Sequence, residues 1–257
     1  MKKIIFKISL FGLLIGLADK TIAQTDKEPC ANGVSSKSKS LASDLSQFPR
    51  EDIEWLNLWL PNTNDQDLPR VLLIGNSITQ SYYGKVQSLL EGKAYTGRLT
   101  TSKALGDPAL LAEIELVLRV EKFDIIHFNN GLHGFGYSED EYRKSFPDLI
   151  KTFREYAPKA RLIWASTTPI RTGEGMNEFA AGTERVKARN QIALEAIQGQ
   201  NILLDDLFRL VEDHPDFYAG GDGVHLVDVG VTALANQVAG IILNVINQEF
   251  TGNKKRE

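Results

Sequence analysis

Val71-Leu72-Leu73-Ile74-Gly75-Asn76-Ser77-Ile78-Thr79 is the stretch on which the fold turns. Four consecutive apolar residues suit a strand buried on both faces, as in a parallel sheet. The run stops at Gly75, and a helical pattern over about Ser81 to Leu90 follows within a few residues. Ser77 therefore falls on a strand-to-helix turn at the C-terminal edge of a sheet, where open α/β sheets place their ligands. Gly75, lacking a Cβ, permits the tight turn. The helix start behind Ser77 would present unpaired N–H groups and a partial positive charge to an anion forming at the serine. A serine at such a place also serves as a plain helix cap. The stretch by itself leaves both roles open.

Working outward, the chain has 257 residues, enough for one ordinary α/β domain with a real core. Its 24% charged and 42% hydrophobic residues are ordinary globular values. Lys2, Lys3, Lys7 and Lys20 against Asp19 give the first 23 residues a net +3, which leaves −7 on the remainder of a chain whose total is −4. An acidic body argues against nucleic acid or an anionic membrane as partner, since neither would gain counterion release. Small molecules or neutral glycans remain open as partners.

Residues 1–23 read as an export signal: a short basic start, an apolar run from Ile8 to Ala18 too short for stable membrane insertion, and a cleavage site ending at Ala23. The expected location is periplasmic or secreted. Cys30 is the single cysteine, so no internal disulfide framework exists. Residues 24–50 are polar and Ser/Lys-rich, a flexible linker. Residues 51–250 form the folded domain, and 251–257 a charged tail. Glu51 to Leu60 is expected to be a short apolar helix ended by Pro61.

After the first strand, Arg98 to Lys103, Asp124 to Phe128, Arg161 to Ala165 and Asn201 to Leu204 read as four more, separated by helical patterns. Those helices fall at about Pro108 to Val120, Glu139 to Tyr156, Asn177 to Gln198 and Leu207 to Val211, with a last amphipathic one at about Val227 to Asn247. The alternation predicts an α/β fold: a single doubly wound domain with a parallel sheet of about five strands flanked by helices.

Loops after successive parallel strands gather at one edge, which brings Ser77, Gly106 and the Asn130/His133 loop together. Asp222-Gly223-Val224-His225 precedes the final helix. A carboxylate three residues before a histidine, on a turn, can accept from the imidazole N–H and fix its tautomer. The other ring nitrogen is then free to take a proton from a serine. Ser77, Asp222 and His225 are thus a candidate triad. His127 reads as a packed core residue and His214 as a surface turn residue. No His/Cys cluster has metal-ligand spacing.

Together these pieces resemble the SGNH (GDSL-type) hydrolase family over about residues 69–245. Gly75-Asn76-Ser77-Ile78-Thr79 matches the family's first block, Gly-Asp-Ser-(Ile/Leu)-Thr, with Asn76 in place of Asp. Asp222 to His225 matches the closing Asp-x-x-His, and Gly106 is the positional match to the glycine whose N–H helps hold the oxyanion. The third block, Gly-x-Asn-Asp, is altered: with Gly131 on its glycine, His133 stands where the oxyanion-binding Asn belongs. Either the His133 imidazole or the Asn130 amide then supplies the side-chain donor. The resemblance implies a flavodoxin-like sheet and a serine esterase working through an acyl-enzyme, without metal or organic cofactor. It also implies acetyl or other short acyl groups on carbohydrates as substrate. The rival substrates are lipid or aryl esters, in a lipase- or lysophospholipase-type hydrolase, and the rival class is a binding protein with weakened turnover. Arg171, in the loop after the fourth strand, is a candidate partner for a substrate carboxylate.

Overall fold

The computed structural model describes residues 48–218 and 222–250. The segments expected as export signal and charged tail, nearly all of the expected linker, and Cys30 lie outside them.

Strand β2 (Arg70–Gly75) is buried along its whole length. It lies between β3 (Tyr95–Thr101) and β4 (Ile125–Phe128). β5 (Arg161–Ala165) and β8 (Leu203–Asp205) follow, and these five strands are mutually parallel. The period-two alternation of a strand divides the core. Val71 and Leu73 face one cluster, with α1 (Ser77–Leu89) and α6 (Asp228–Glu249). Leu72 and Ile74 face the other, with α2 (Pro108–Val120), α3 (Glu139–Tyr156) and α4 (Gly182–Ile197). α6 is long and apolar enough to cross a bilayer, yet it is half buried, with Leu234, Val238 and Ile242 in the core.

Three expectations need correcting. The segment expected to be a helix over Glu51 to Leu60 is instead β1 (Leu56–Trp59), antiparallel to β3 in the register Leu56↔Thr101 to Trp59↔Arg98. A short apolar run carries no periodicity that separates strand from helix. The otherwise open edge of β3 supplies the backbone partners that decide it. The sheet is consequently mixed and six-stranded, in the order β1-β3-β2-β4-β5-β8, rather than five-stranded and all parallel. The third correction concerns the loop after β5. It folds back as a small hairpin of β6 (Arg171–Thr172) and β7 (Glu178–Phe179), which delays the helix expected from Asn177 until Gly182. The short α5 (Leu207–Val211) completes the elements.

His127 is fully buried on β4, its Nε2 2.9 Å from Asp205 Oδ2, and Gln237 donates to the other Asp205 oxygen at 2.7 Å. The pair ties β4, β8 and α6 together beneath the sheet edge.

Candidate active site

Ser77 is the first residue of α1. Asn76 caps that helix, its Oδ1 accepting the Ile78 N–H at 2.9 Å, so the cap role falls to Asn76 and the Ser77 hydroxyl is released from it. Gly75 is required for contact reasons: a Cβ there would sit 2.1 Å from Thr79 Oγ1.

Ser77 Oγ lies 2.8 Å from His225 Nε2, and His225 Nδ1 lies 2.5 Å from Asp222 Oδ2. Asp222 Oδ1 accepts the backbone N–H groups of Val224 and His225 at 2.8 and 2.9 Å. Partial burial pushes the Asp222 carboxyl up. The N–H of His225, its ring, the Val224 N–H and the imidazole charge together outweigh this and hold it down at about 2. Asp222 thus stays ionised, and its partnership with Nδ1 leaves Nε2 as the base facing the serine.

The turn between acid and base is held from beneath. Gly223 takes φ +69°, and a Cβ on it would meet the Arg171 carbonyl oxygen at 1.9 Å. Arg171 N–H donates to the Gly223 carbonyl at 2.8 Å. Its guanidinium, 5% exposed, donates to the carbonyls of Met176 and Glu212 and lies over the Phe179 and Tyr218 rings. The Arg171 guanidinium is therefore taken up in the interior, and in place of the exposed carboxylate clamp expected of it the side chain packs the histidine loop.

In the loop after β4, the neighbour of β2, Asn130 and His133 diverge. Asn130 Oδ1 accepts the Leu105 N–H at 2.8 Å and its Nδ2 donates to the Lys103 carbonyl at 2.9 Å, which fixes the amide against the loop that carries Gly106. Gly106 itself takes φ +109°. His133 instead turns to the segment before β1, with Nδ1 3.4 Å from Glu51 Oε1 and its ring edge-on to Trp55 at 6.3 Å. His214 is stacked on Phe217 at 4.2 Å and beside Asp216, in a turn of its own.

A recess of about 220 Å³ opens between Pro49–Glu54 and the loops after β3 and β4, with Glu51, Asp107, Leu132 and Phe135 in its wall. A larger one, about 400 Å³ and bounded by Gln87, Glu91 and Tyr95, lies at the opposite edge of the sheet and shares no residue with this site. Among the described residues no three His, Cys, Asp or Glu side chains gather as metal ligands.

Sequence reading missed two contributors, Tyr142 and Arg189. Tyr142 donates to the Asn130 carbonyl. Arg189, 1% exposed, donates to the carbonyls of Gly131, His133 and Gly134. The signal was there for Arg189: it sits on the buried stripe of α4, between Val186 and Ala193.

No protein-family model and no curated protein matches the chain. Solved structures do resemble it. A carbohydrate esterase family 3 protein from Talaromyces cellulolyticus superposes with TM-score 0.55 at 15% identity, over 70% of this chain and 99% of that one. An acetyl xylan esterase superposes with TM-score 0.53 at 17% identity, over 67% and 99%. A protein from Slackia heliotrinireducens, provisionally assigned as an SGNH hydrolase, gives TM-score 0.53 at 19% identity over 68% and 100%. At such identities the likeness is one of fold.

Proposed function

We propose that this protein is a serine ester hydrolase of the SGNH type, with Ser77 as nucleophile, His225 as base and then acid, and Asp222 orienting the imidazole. The single observation that carries the reading is the continuous chain Asp222–His225–Ser77, with contacts of 2.5 and 2.8 Å. Ser77 attacks the ester carbonyl as its proton passes to Nε2. The tetrahedral oxyanion is met by the N–H groups of Ser77 and Gly106 and by the second N–H of Asn130 Nδ2, whose first is held by Lys103. The imidazolium then protonates the leaving alcohol, and water, deprotonated by the same imidazole, releases the acid. Of the two donors left open by the sequence, Asn130 is favoured because its amide is fixed beside the Gly106 loop. His133 faces Glu51 and Trp55.

The substrate proposed is an acetyl or other short acyl ester on a carbohydrate, acted on after export. The net negative charge of the chain and the fold shared with esterases of carbohydrates support this. Purified protein and a Ser77→Ala control, offered chromogenic acetyl and octanoyl esters, test it. The expected result is acetyl preference that disappears with Ser77. Octanoyl preference would redirect the reading to lipids. Turnover unchanged by the substitution would remove Ser77 from the mechanism, and no turnover of either ester by the parent protein would favour a binding role.

A further inference from the structure

The loop after β4, residues 129–137, has no regular secondary structure, yet its carbonyl oxygens are collected on one side. Tyr142 Oη donates to Asn130 O at 2.5 Å. The Arg189 guanidinium donates to Gly131 O at 3.1 Å, His133 O at 2.7 Å, Gly134 O at 2.8 Å and Tyr137 O at 3.3 Å. Arg185, one turn earlier on α4, donates to Phe135 O at 2.7 Å and also to Tyr137 O.

In a trans peptide the carbonyl and the following N–H point in opposite directions. Turning the carbonyls of 130, 131 and 133 towards α3 and α4 therefore turns the N–H groups of Gly131, Leu132 and Gly134 the other way. The Gly134 N–H confirms the sense, for it is met on that far side by Glu51 Oε1 at 2.8 Å. A guanidinium suits the task because its planar fork of five donors serves four carbonyls at once, one more than the three donors of an ammonium could reach. Its burial, and then the charge of Arg185, push the Arg189 guanidinium below the ordinary arginine value. Its nearest carboxylate, Glu139 at 3.4 Å from Nε, is held closer by Arg185, at 2.7 Å. A charge kept there, against that cost, has carbonyls as its main partners.

We infer that Tyr142 and Arg189 are positioning residues for the oxyanion side of the site: they clamp the carbonyls of residues 130–137 and so hold the Asn130 amide beside Gly106. The inference rests on the serine-hydrolase reading for its effect on rate, and on the geometry alone for its effect on loop order.

Full-length Tyr142→Phe and Arg189→Lys proteins test it. Tyr142→Phe removes one hydroxyl without opening a cavity, so it keeps the test available where Arg189→Lys fails to fold. Turnover of a chromogenic acetyl ester is read as kcat and KM separately, beside amide hydrogen exchange. The expected result is a kcat lowered roughly 10-fold by Tyr142→Phe and about 100-fold by Arg189→Lys, since a small misplacement of catalytic groups costs up to about 100-fold. KM stays within about twofold, because binding is untouched. Exchange accelerates at amides 130–134 and stays unchanged in α6. Unaltered kcat in Tyr142→Phe, or exchange that rises equally in α6, would overturn the clamp. A parent protein without esterase turnover would sink the serine-hydrolase reading instead, and exchange at 130–134 would still decide for or against the clamp.

Discussion

Asp222 and His225 stand three residues apart with side chains about half exposed, 54% and 50%. Asn130, the proposed oxyanion donor, is held by Lys103, Leu105 and Tyr142, which lie 27, 25 and 12 residues away, and its loop by the fully buried Arg189. The proposed acid–base side is a short turn whose internal contacts are local, with Gly223 in its left-handed conformation backed, among the described residues, by Arg171 from a distant part of the chain. The proposed oxyanion side is a tertiary construction, and it has no geometry until α3, α4 and the β3 loop have packed. On the proposed reading, proton transfer would rest on a short motif, whereas the oxyanion donors would depend on the packing of the whole scaffold.

The comparison can be broken most decisively at the local side. Ser77→Ala and His225→Ala are each expected to lower kcat on an acetyl ester by on the order of 10,000-fold or more, and the double variant by no further factor, because the pair acts as a unit. Additive losses, measured in parallel assays, would mean that the two groups do not share a step. At the tertiary side, Asn130→Ala is expected to cost about 100- to 1000-fold in kcat, the usual effect of one lost oxyanion donor. His133→Ala should fall within about tenfold of the parent; the reverse order would hand the donor role to the imidazole.

Two smaller effects concern the turn itself. Gly223→Ala forces a Cβ against the Arg171 carbonyl and a side chain into φ +69°. A loss of about 1–3 kcal/mol is expected from the backbone strain, readable in urea midpoints. Retained stability would show that the turn relaxes freely. For Asp222, the folded carboxyl at about 2 lies below its ordinary 3.8. Its contribution to stability is therefore complete above about pH 4 and is lost as pH falls through 2. Asp222→Asn should remove that part of the acid-side slope while leaving the neutral-pH fold intact. An unchanged slope would show that the contacts of Asp222 do not bear on stability.

Much was legible in the residues themselves. Val71 to Ile74, closed at once by Gly75 and a helix start, suited a strand buried on both faces, and its abrupt end at Gly75-Asn76-Ser77 put the serine at the C-terminal edge of the sheet. The Asp222–His225 spacing needed only a turn to bring carboxylate and imidazole together. Such features are short-ranged, so the order of residues determines them. The segment around Leu56 to Trp59 shows the limit. Its apolar run fits helix or strand equally, and the open edge of β3, 39 or more residues further on, decides. Arg171 and Asn130 show it too. A polar side chain in a loop faces substrate or interior according to which carbonyls the rest of the fold places around it. For Arg171 those belong to Met176 and Glu212, for Asn130 to Lys103. The sequence by itself determined the five parallel strands, the serine turn and the Asp222–His225 pair, because each is set mainly by neighbours along the chain. Only the tertiary structure decided the mixed sheet, the inward arginine and the amide beside Gly106, because hydrogen-bond partners distant in sequence exist only after the elements have packed.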